Sequence, residues 1–350
     1  MNFLQNCWYA AALANELADA PLGRTLLGEP IALYRLRSGE PVALTDICPH
    51  RFAPLSKGQV VEDAIRCPYH GLRFGHDGKC THNPLGAGVL PAAAKVRSYP
   101  IREVDGILWI WFGDEKPDFT TLPRFEEFGK PDEWTCVEGY IPVKSHFLLV
   151  SDNLLDLSHA EFLHPDLATP GFNRRVKVTV ERDGDAIVAV NRRPSEPISN
   201  AFRLSMGGDE APDFVDRVST VRWEAPANLS LIFDAFPAGQ TTERVRTVQA
   251  HLITPETETS CHYFFKIARD HLLDNAGVSE RIFALADHAF RSEDAPMIEA
   301  QQRRIGEGGF DAMGPVLLKS DEAATRARRI FAEKLDAQTE NESRVNIGRI

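Results

Sequence analysis

A chain of 350 residues, 43% hydrophobic and 25% charged, has room for two ordinary cores, because domains commonly run to about 100–200 residues, and its six Cys are too sparse for a disulfide-stapled scaffold. With a net charge of −11, divided as −1 over residues 1–115 and −10 over 116–350, neither part reads as a nucleic-acid binder, which is expected to show a basic face. No apolar run reaches the roughly 18 residues of a membrane span, and the opening MNFLQNCWYAAALANELADA, interrupted by Glu16 and Asp19, does not read as a signal peptide, so a reducing cytoplasm is the expected setting.

Residues 1–115 are close to neutral, with 11 Lys and Arg against 12 Asp and Glu. They read as an all-β segment. IALYRL, PVALTDI, AIRCPY, GLRFGHDGKC and GILWIWFG are apolar or alternating runs of strand length, punctuated by Ser38-Gly39, Asp77-Gly78 and Asp105-Gly106. Within them lies DICPHR, then RCPYHG. Cys48-x-His50 is followed after sixteen residues by Cys67-x-x-His70. Two thiolates and two imidazoles on loops between strands suit a tetrahedral zinc site or a [2Fe–2S] cluster, and spacing alone does not choose. Common zinc patterns pair Cys with Cys and His with His, whereas here each loop supplies one of each. Cys7, Cys80, Cys136 and Cys261 have no paired spacing and read as core thiols.

GDEKPDFTTLPRFEEFGKPDEW, rich in Pro and charge, reads as a linker, which puts the first domain at 1–115 and the second at 116–350. SDNLLDLSHAEFLHP then predicts a helix ended by Pro165 and capped by Ser151 or Asp152. Asp156 and His159, three apart, share a face of that helix. His159 and His164, five apart, would point about 140° from each other on an ideal helix, so both can serve one ion only where the helix is irregular or ends. RRVKVTVERDGDAIVAVNRR predicts a hairpin turning at Asp183-Gly184, with alternate Val residues buried. STVRWEA, NLSLIFDAF, ERVRTVQAHLITP and TSCHYFFKIAR are further strands. A helix over 279–304 follows, with Ile282, Leu285, Ala286 and Phe290 at helical spacing and Pro296 breaking its continuation. DEAATRARRIFAEKL predicts a last amphipathic helix. The second domain is therefore expected to be an antiparallel sheet with helices packed on it, an α+β arrangement.

CPHR…CPYHG resembles the signature of Rieske iron–sulfur proteins, in which one iron takes both Cys and the other both His. Asn153-x-x-Asp156-x-x-His159-x-x-x-x-His164 resembles the mononuclear iron motif of Rieske non-haem iron oxygenases, which use two His and one carboxylate on one face of Fe(II). The likeness extends over NCWYAAA, ILWIWFGD, HLITPETETSCHYFF and FRSEDAPMIEAQQRR, and looks like the branch of vanillate O-demethylase, dicamba and aryl-sulfonate mono-oxygenases. It implies a Rieske [2Fe–2S] domain on Cys48, His50, Cys67 and His70. It also implies a catalytic domain of helix-grip (Bet v1/START-like) type, with mononuclear iron on His159, His164 and Asp294. Glu293 is the neighbour that can displace Asp294.

The resemblance further implies catalytic roles for Asp156, linking His159 to His70 of the next subunit in a head-to-tail homotrimer, and for Asn153 beside the iron. The implied reaction uses O₂ and electrons from a separate flavin and [2Fe–2S] reductase, directly or through a ferredoxin, to hydroxylate a methoxy carbon of a small aromatic acid, giving a phenol and formaldehyde. No Gly-x-Gly-x-x-Gly fingerprint occurs here, in keeping with a separate reductase. Hydroxylation of a methyl group on another aromatic acid or sulfonate, and a non-enzymatic Rieske electron carrier, are the competing readings. An aromatic acid needs an apolar slot with polar anchors. His251 is the expected anchor, with Asn228 and Ser230 on the neighbouring strand, while Leu155, Ile232 and Phe265 are apolar enough for the slot but read first as core residues.

Overall fold

The structure is a computed structural model that describes residues 3–206, 208–242 and 244–347. The chain divides into two compact units, one of residues 5–124 with 254–257, the other of Phe125–Ile253 and the chain from Glu258 on, with Phe3 and Leu4.

In the first unit eleven strands follow in chain order: β1 (Cys7–Leu13), β2 (Leu22–Leu26), β3 (Glu29–Arg35), β4 (Pro41–Thr45), β5 (Gln59–Val61), β6 (Ala64–Arg66), β7 (Arg73–Phe74), β8 (Cys80–His82), β9 (Ser98–Tyr99), β10 (Ile101–Val104) and β11 (Ile107–Phe112). They make three sheets, β1-β11-β10, β2-β3-β4-β9 and β5-β6-β7-β8. β1 escapes a reading based on alternation because it is buried on both faces; Trp8 pairs with Trp111 of β11, the rings edge to face at 5.3 Å. Tyr34, Leu44, Ile65 and Phe74 form a core that also takes in Cys48 and Cys67. Each such large side chain contributes about 1.5–3 kcal/mol by leaving water, and together they anchor the roots of the two Cys-His loops.

The second unit holds β12 (Thr135–Val143), α1 (Phe147–Leu155), α2 (Ala160–Leu163), β13 (Lys177–Asp183), β14 (Ala186–Pro197), α3 (Asn200–Ser205), β15 (Phe214–Glu224), β16 (Asn228–Pro237), β17 (Val245–Thr257), β18 (Ser260–Arg269), α4 (Ala276–His288), α5 (Ala295–Ile305) and α6 (Glu322–Ile347). One seven-stranded sheet runs β12-β18-β17-β16-β15-β14-β13, and α1, α4 and α6 pack on its strands. The expected α+β layering is what forms. β12 went unread because Gly139 and Pro142 blur its pattern, although it pairs with β18 along its whole length. In β15 burial alternates strictly, so Val215, Arg217, Ser219, Val221 and Trp223 share the inner face.

Four local expectations are corrected. The helix expected over 151–165 begins at Phe147, where His146 Nδ1 accepts the Leu148 backbone N–H, so Ser151 and Asp152 lie inside it. It stops at Leu155, and Asp156 is extended, so Asp156 and His159 do not share a helical face. The buried side of β14 is Ile187, Ala189, Asn191 and Arg193, while Val188 and Val190 are only half-buried and Val178 is exposed. Pro296 does not end the late helix. It sits in the first turn of α5, where its missing N–H is harmless, and the irregularity precedes it as a π-helical segment over Ala289–Asp294.

Candidate metal centres and the cavity beside them

The two Cys-His loops have the same backbone design. In the first, the Cys48 N–H donates to the Ala53 carbonyl and the Phe52 N–H to the Cys48 carbonyl. In the second, the Cys67 N–H donates to the Leu72 carbonyl and the Gly71 N–H to the Cys67 carbonyl. The fifth residue of each loop, Phe52 or Gly71, is left-handed, with φ of 60° and 76°. Cys48 and Cys67 are 1% and 2% exposed, and their thiols are within hydrogen-bonding reach of each other. The His50 and His70 rings stand 4.5 Å apart toward the surface, and the buried His70 Nδ1 has no hydrogen-bond partner. Two buried thiols below two imidazoles, with one imidazole nitrogen orphaned, fit a [2Fe–2S] cluster that takes sulfur at its inner iron and nitrogen at its outer one.

The second group depends on broken helices. After α1, Asp156 caps a single 3₁₀ turn at Leu157–His159 through its carboxylate and the Ser158 N–H, α2 follows, and His164 leaves the helical path before Pro165. That break brings His159 Nε2 and His164 Nε2 to 3.2 Å. From the opposite side, the π-helical segment presents Asp294, whose Oδ1 lies 3.1 Å from His164 Nε2 and 3.5 Å from His159 Nε2. Single donor atoms of the three residues all fall within 4.8 Å of one another. His159 Nδ1 lies 2.6 Å from the Asp156 carbonyl and His164 Nδ1 lies 2.7 Å from Glu293 Oε2, so each Nδ1–H donates away from the site and each Nε2 lone pair faces it. Asn153 Nδ2 donates to Asp294 Oδ1 at 3.0 Å. Two imidazoles and one carboxylate on one side suit a divalent iron with open positions opposite.

A cavity of about 170 Å³ lies against this triangle, which forms part of its lining. Most of the wall is apolar, supplied by Leu231, Phe233, Ile267, Leu285 and Phe290 among others, and its polar groups include Asn153, Arg217, Thr247 and Gln249. The three expected anchors lie outside the lining. His251 is fully buried, with Nδ1 2.7 Å from the Tyr263 hydroxyl and Nε2 3.1 Å from Gln249 Oε1, and burial holds its pKa down to about 3. Asn228 and Ser230 have the opposite parity on β16 from Leu231 and Phe233, which face the cavity. Leu155, Ile232 and Phe265 are also outside it, Phe265 packing on Phe290 at 5.3 Å. Gln249 and Arg217 were missed, although both share the inward parity of their strands.

These features define an iron-dependent oxygenase component of the Rieske mono-oxygenase class, with a [2Fe–2S] cluster and a mononuclear non-haem iron. Residues 7–100 match the Rieske [2Fe-2S] domain and residues 143–337 the vanillate O-demethylase oxygenase C-terminal domain. The chain belongs to the family of Rieske oxygenases that carry this C-terminal domain. It is 38% identical over 340 residues to the oxygenase component of dicamba O-demethylase from Stenotrophomonas maltophilia, covering 96% of this chain and 98% of that one. It is also 38% identical over 341 residues to the oxygenase component of chloroacetanilide N-alkylformylase from Rhizorhabdus wittichii, covering 96% and 97%. The crystal structure of dicamba monooxygenase bound to 3,6-dichlorosalicylic acid superposes with a TM-score of 0.90 at 36% identity, covering 96% of this chain and 99% of that one. Among the described residues no helix is long and apolar enough to cross a membrane.

Proposed function

We propose that this chain is the terminal oxygenase of an aromatic O-demethylase, acting on a single-ring aromatic acid. The observation that carries the reading is the apolar cavity of about 170 Å³ whose lining includes His159, His164 and Asp294. An apolar cavity of ~150 Å³ is enough to hold one benzene ring. In this reading His159, His164 and Asp294 hold the mononuclear iron, and Cys48, His50, Cys67 and His70 the cluster. When bound, the mononuclear iron supplies the O₂ activation that inserts one oxygen atom into a methoxy C–H bond. With two electrons and two protons the balance is a methoxyarene and O₂ giving a hemiacetal and water, and the hemiacetal then collapses to a phenol and formaldehyde.

The chain's own residues orient and shield. Leu231, Phe233 and Phe290 enclose the ring and exclude water. Asn153 fixes the Asp294 carboxylate. His251 acts as a positioning residue, holding the Gln249 side chain through its carbonyl. Asp156 holds His159 through its backbone carbonyl and is the link to His70 of the partner subunit in a head-to-tail homotrimer. Electrons arrive from a separate reductase, directly or through a ferredoxin, in the cytoplasm. The Asn228 amide and Ser230 hydroxyl, on the far face of β16, do not contact the ring in this reading.

The test couples the purified oxygenase to a flavin and [2Fe–2S] reductase and scans methoxybenzoates for phenol and formaldehyde. Stoichiometric formaldehyde is expected, and His159→Ala is expected to stay red-brown while losing its mononuclear iron and turnover. Benzylic alcohol from methylbenzoates, with no formaldehyde from any methoxyarene, would overturn the O-demethylase reading in favour of methyl hydroxylation.

A further inference from the structure

Where β14 and β15 pair, the inner face of the sheet carries two guanidinium groups and a single facing carboxylate. Arg193 of β14 and Arg217 of β15 are direct cross-strand partners, and the register shift after Arg193 turns Glu196 toward them. Arg217 Nε lies 2.8 Å from Glu196 Oε1, whereas Arg193 Nε is 4.0 Å from Glu196 Oε2. Arg193, Arg217 and Glu196 are 1%, 4% and 3% exposed. One carboxylate cannot neutralise two guanidiniums, so the group carries one excess positive charge out of reach of water. Arg193 Nε and Nη1 are buried without a hydrogen-bond partner. Phe172 covers both cations, at 3.6 Å from the Arg193 Cζ and 4.9 Å from the Arg217 Cζ, and Phe202 lies 4.8 Å from the latter. Aromatic faces offset part of the desolvation but supply no counter-charge.

This group opens on the same cavity as the iron triangle, because Arg217, Phe172 and Phe202 line it together with His159, His164 and Asp294. Strand register gives the spacing. Gln249 lies opposite Leu231 and Leu231 opposite Val221, four residues along β15 from Arg217. At about 3.3 Å per residue the Arg217 backbone is ~13 Å from the Gln249 row. Arg217 is the one permanently charged cation in the described lining; His251 is outside the lining and has both ring nitrogens engaged internally.

We propose that Arg217, braced by Glu196 and backed by Arg193, recognises the oxyanion of an aryl carboxylate or sulfonate in the cavity that the iron triangle also lines. The proposal rests on the reading of this cavity as the substrate site and assigns the charge selectivity to a residue on β15. A guanidinium presents parallel N–H donors that match a carboxylate edge, and the excess positive charge gives an anion a larger gain than a neutral isostere.

The test is equilibrium binding to the iron-loaded, cluster-intact protein without reductase, so that no turnover occurs. 4-Methoxybenzoate is compared with its neutral isostere 4-methoxybenzamide by calorimetry. The wild type is expected to prefer the benzoate by at least tenfold. Arg217→Met is expected to abolish that preference while changing the affinity for the amide by less than threefold, with iron content and cluster absorption intact. Arg217→Lys should restore part of the preference. Arg217→Met combined with Glu196→Gln, which removes both charges, serves if the single variant fails to fold, and should likewise lose the preference. An undiminished preference in Arg217→Met or in the double variant, or equal binding of acid and amide by the wild type, overturns the proposal. If charge selectivity follows Arg217 but no methoxyarene yields formaldehyde, the O-demethylase reading falls and the anion subsite stands. If formaldehyde is released but selectivity is indifferent to Arg217, the anion subsite falls and the O-demethylase reading stands.

Discussion

Glu293 and Asp294, adjacent in sequence, approach opposite nitrogens of one imidazole: Glu293 Oε2 lies 2.7 Å from His164 Nδ1, and Asp294 Oδ1 lies 3.1 Å from His164 Nε2. The π-helical segment ending at Asp294 makes this possible, because its wider turn changes the direction in which consecutive side chains project. Glu293 therefore holds the tautomer and ring orientation, and Asp294 faces the point on which the two Nε2 atoms converge.

Removing the two acids should then have different consequences. Asp294→Ala is expected to lose stoichiometric mononuclear iron. Glu293→Gln, which keeps a weaker acceptor for Nδ1–H, should lower iron affinity by roughly 10–100-fold. Both variants should keep the visible spectrum of the cluster. Metal analysis with a chelator titration checks this, and equal loss of iron from both would contradict the division of roles.

Gly71→Ala should weaken the second cluster loop. Gly71 has φ of +76°, and a Cβ there would stand 3.1 Å from Pro84 Cγ. A side chain in the left-handed region costs about 1–2 kcal/mol, so lower stability and lower cluster occupancy are expected, read from the ratio of visible to protein absorbance. Phe52→Gly, at the equivalent position of the first loop, should act in the opposite direction but less, because glycine also loosens the unfolded chain.

Arg328 of α6 grips Asp152 of α1 with Nη2 2.6 Å and Nε 2.9 Å from Oδ2. Asp152 is desolvated there, which pushes its pKa up against the opposing pull of Arg328. Arg328→Met leaves that carboxylate without its partner and is expected to cost about 2–3 kcal/mol in urea unfolding. Asp152→Leu combined with Arg328→Met should recover most of the loss. A change of under ~0.5 kcal/mol in the single variant would place this pair among ordinary surface contacts.

His146 gives the protein an acid sensitivity. Burial, with Arg328 adding to it, pushes its pKa down to about 4, and its Nδ1 accepts the first free N–H of α1, which a protonated ring cannot do. The unfolded chain takes up this proton near pH 6.5 and the folded chain only near pH 4. Between those values the unfolded state binds more protons, so stability is full above about pH 6.5 and falls as the pH drops toward 4. His146→Asn, which keeps an acceptor without titrating, should flatten the slope of unfolding free energy against pH in that window. An unchanged slope would assign the sensitivity to other groups.

Much of this molecule is legible from its residues. The Cys48-x-His50 and Cys67-x-x-His70 pairs, the turn at Asp183-Gly184 and the alternation of β15 are local patterns that carry their meaning wherever the chain goes. His159 and His164 also announced a difficulty, since five residues on a straight helix cannot bring them together, and the break at Asp156 resolves it. The strand anchors were harder. Asn228 and Ser230 are attractive by residue type, but their parity turns them away, while Gln249, two residues before His251, lines the cavity.

By itself the sequence determined which donors exist, how they are spaced and the class of chemistry they serve, because thiols, imidazoles and strand periodicity are properties of short segments. Only the tertiary structure decided that Asp294 rather than Glu293 faces the two Nε2 atoms, and that Arg217 rather than His251 lines the cavity. Those outcomes depend on a π-helical turn, on the register of β14 to β17 and on which atoms burial leaves without partners, relations between segments distant in the chain.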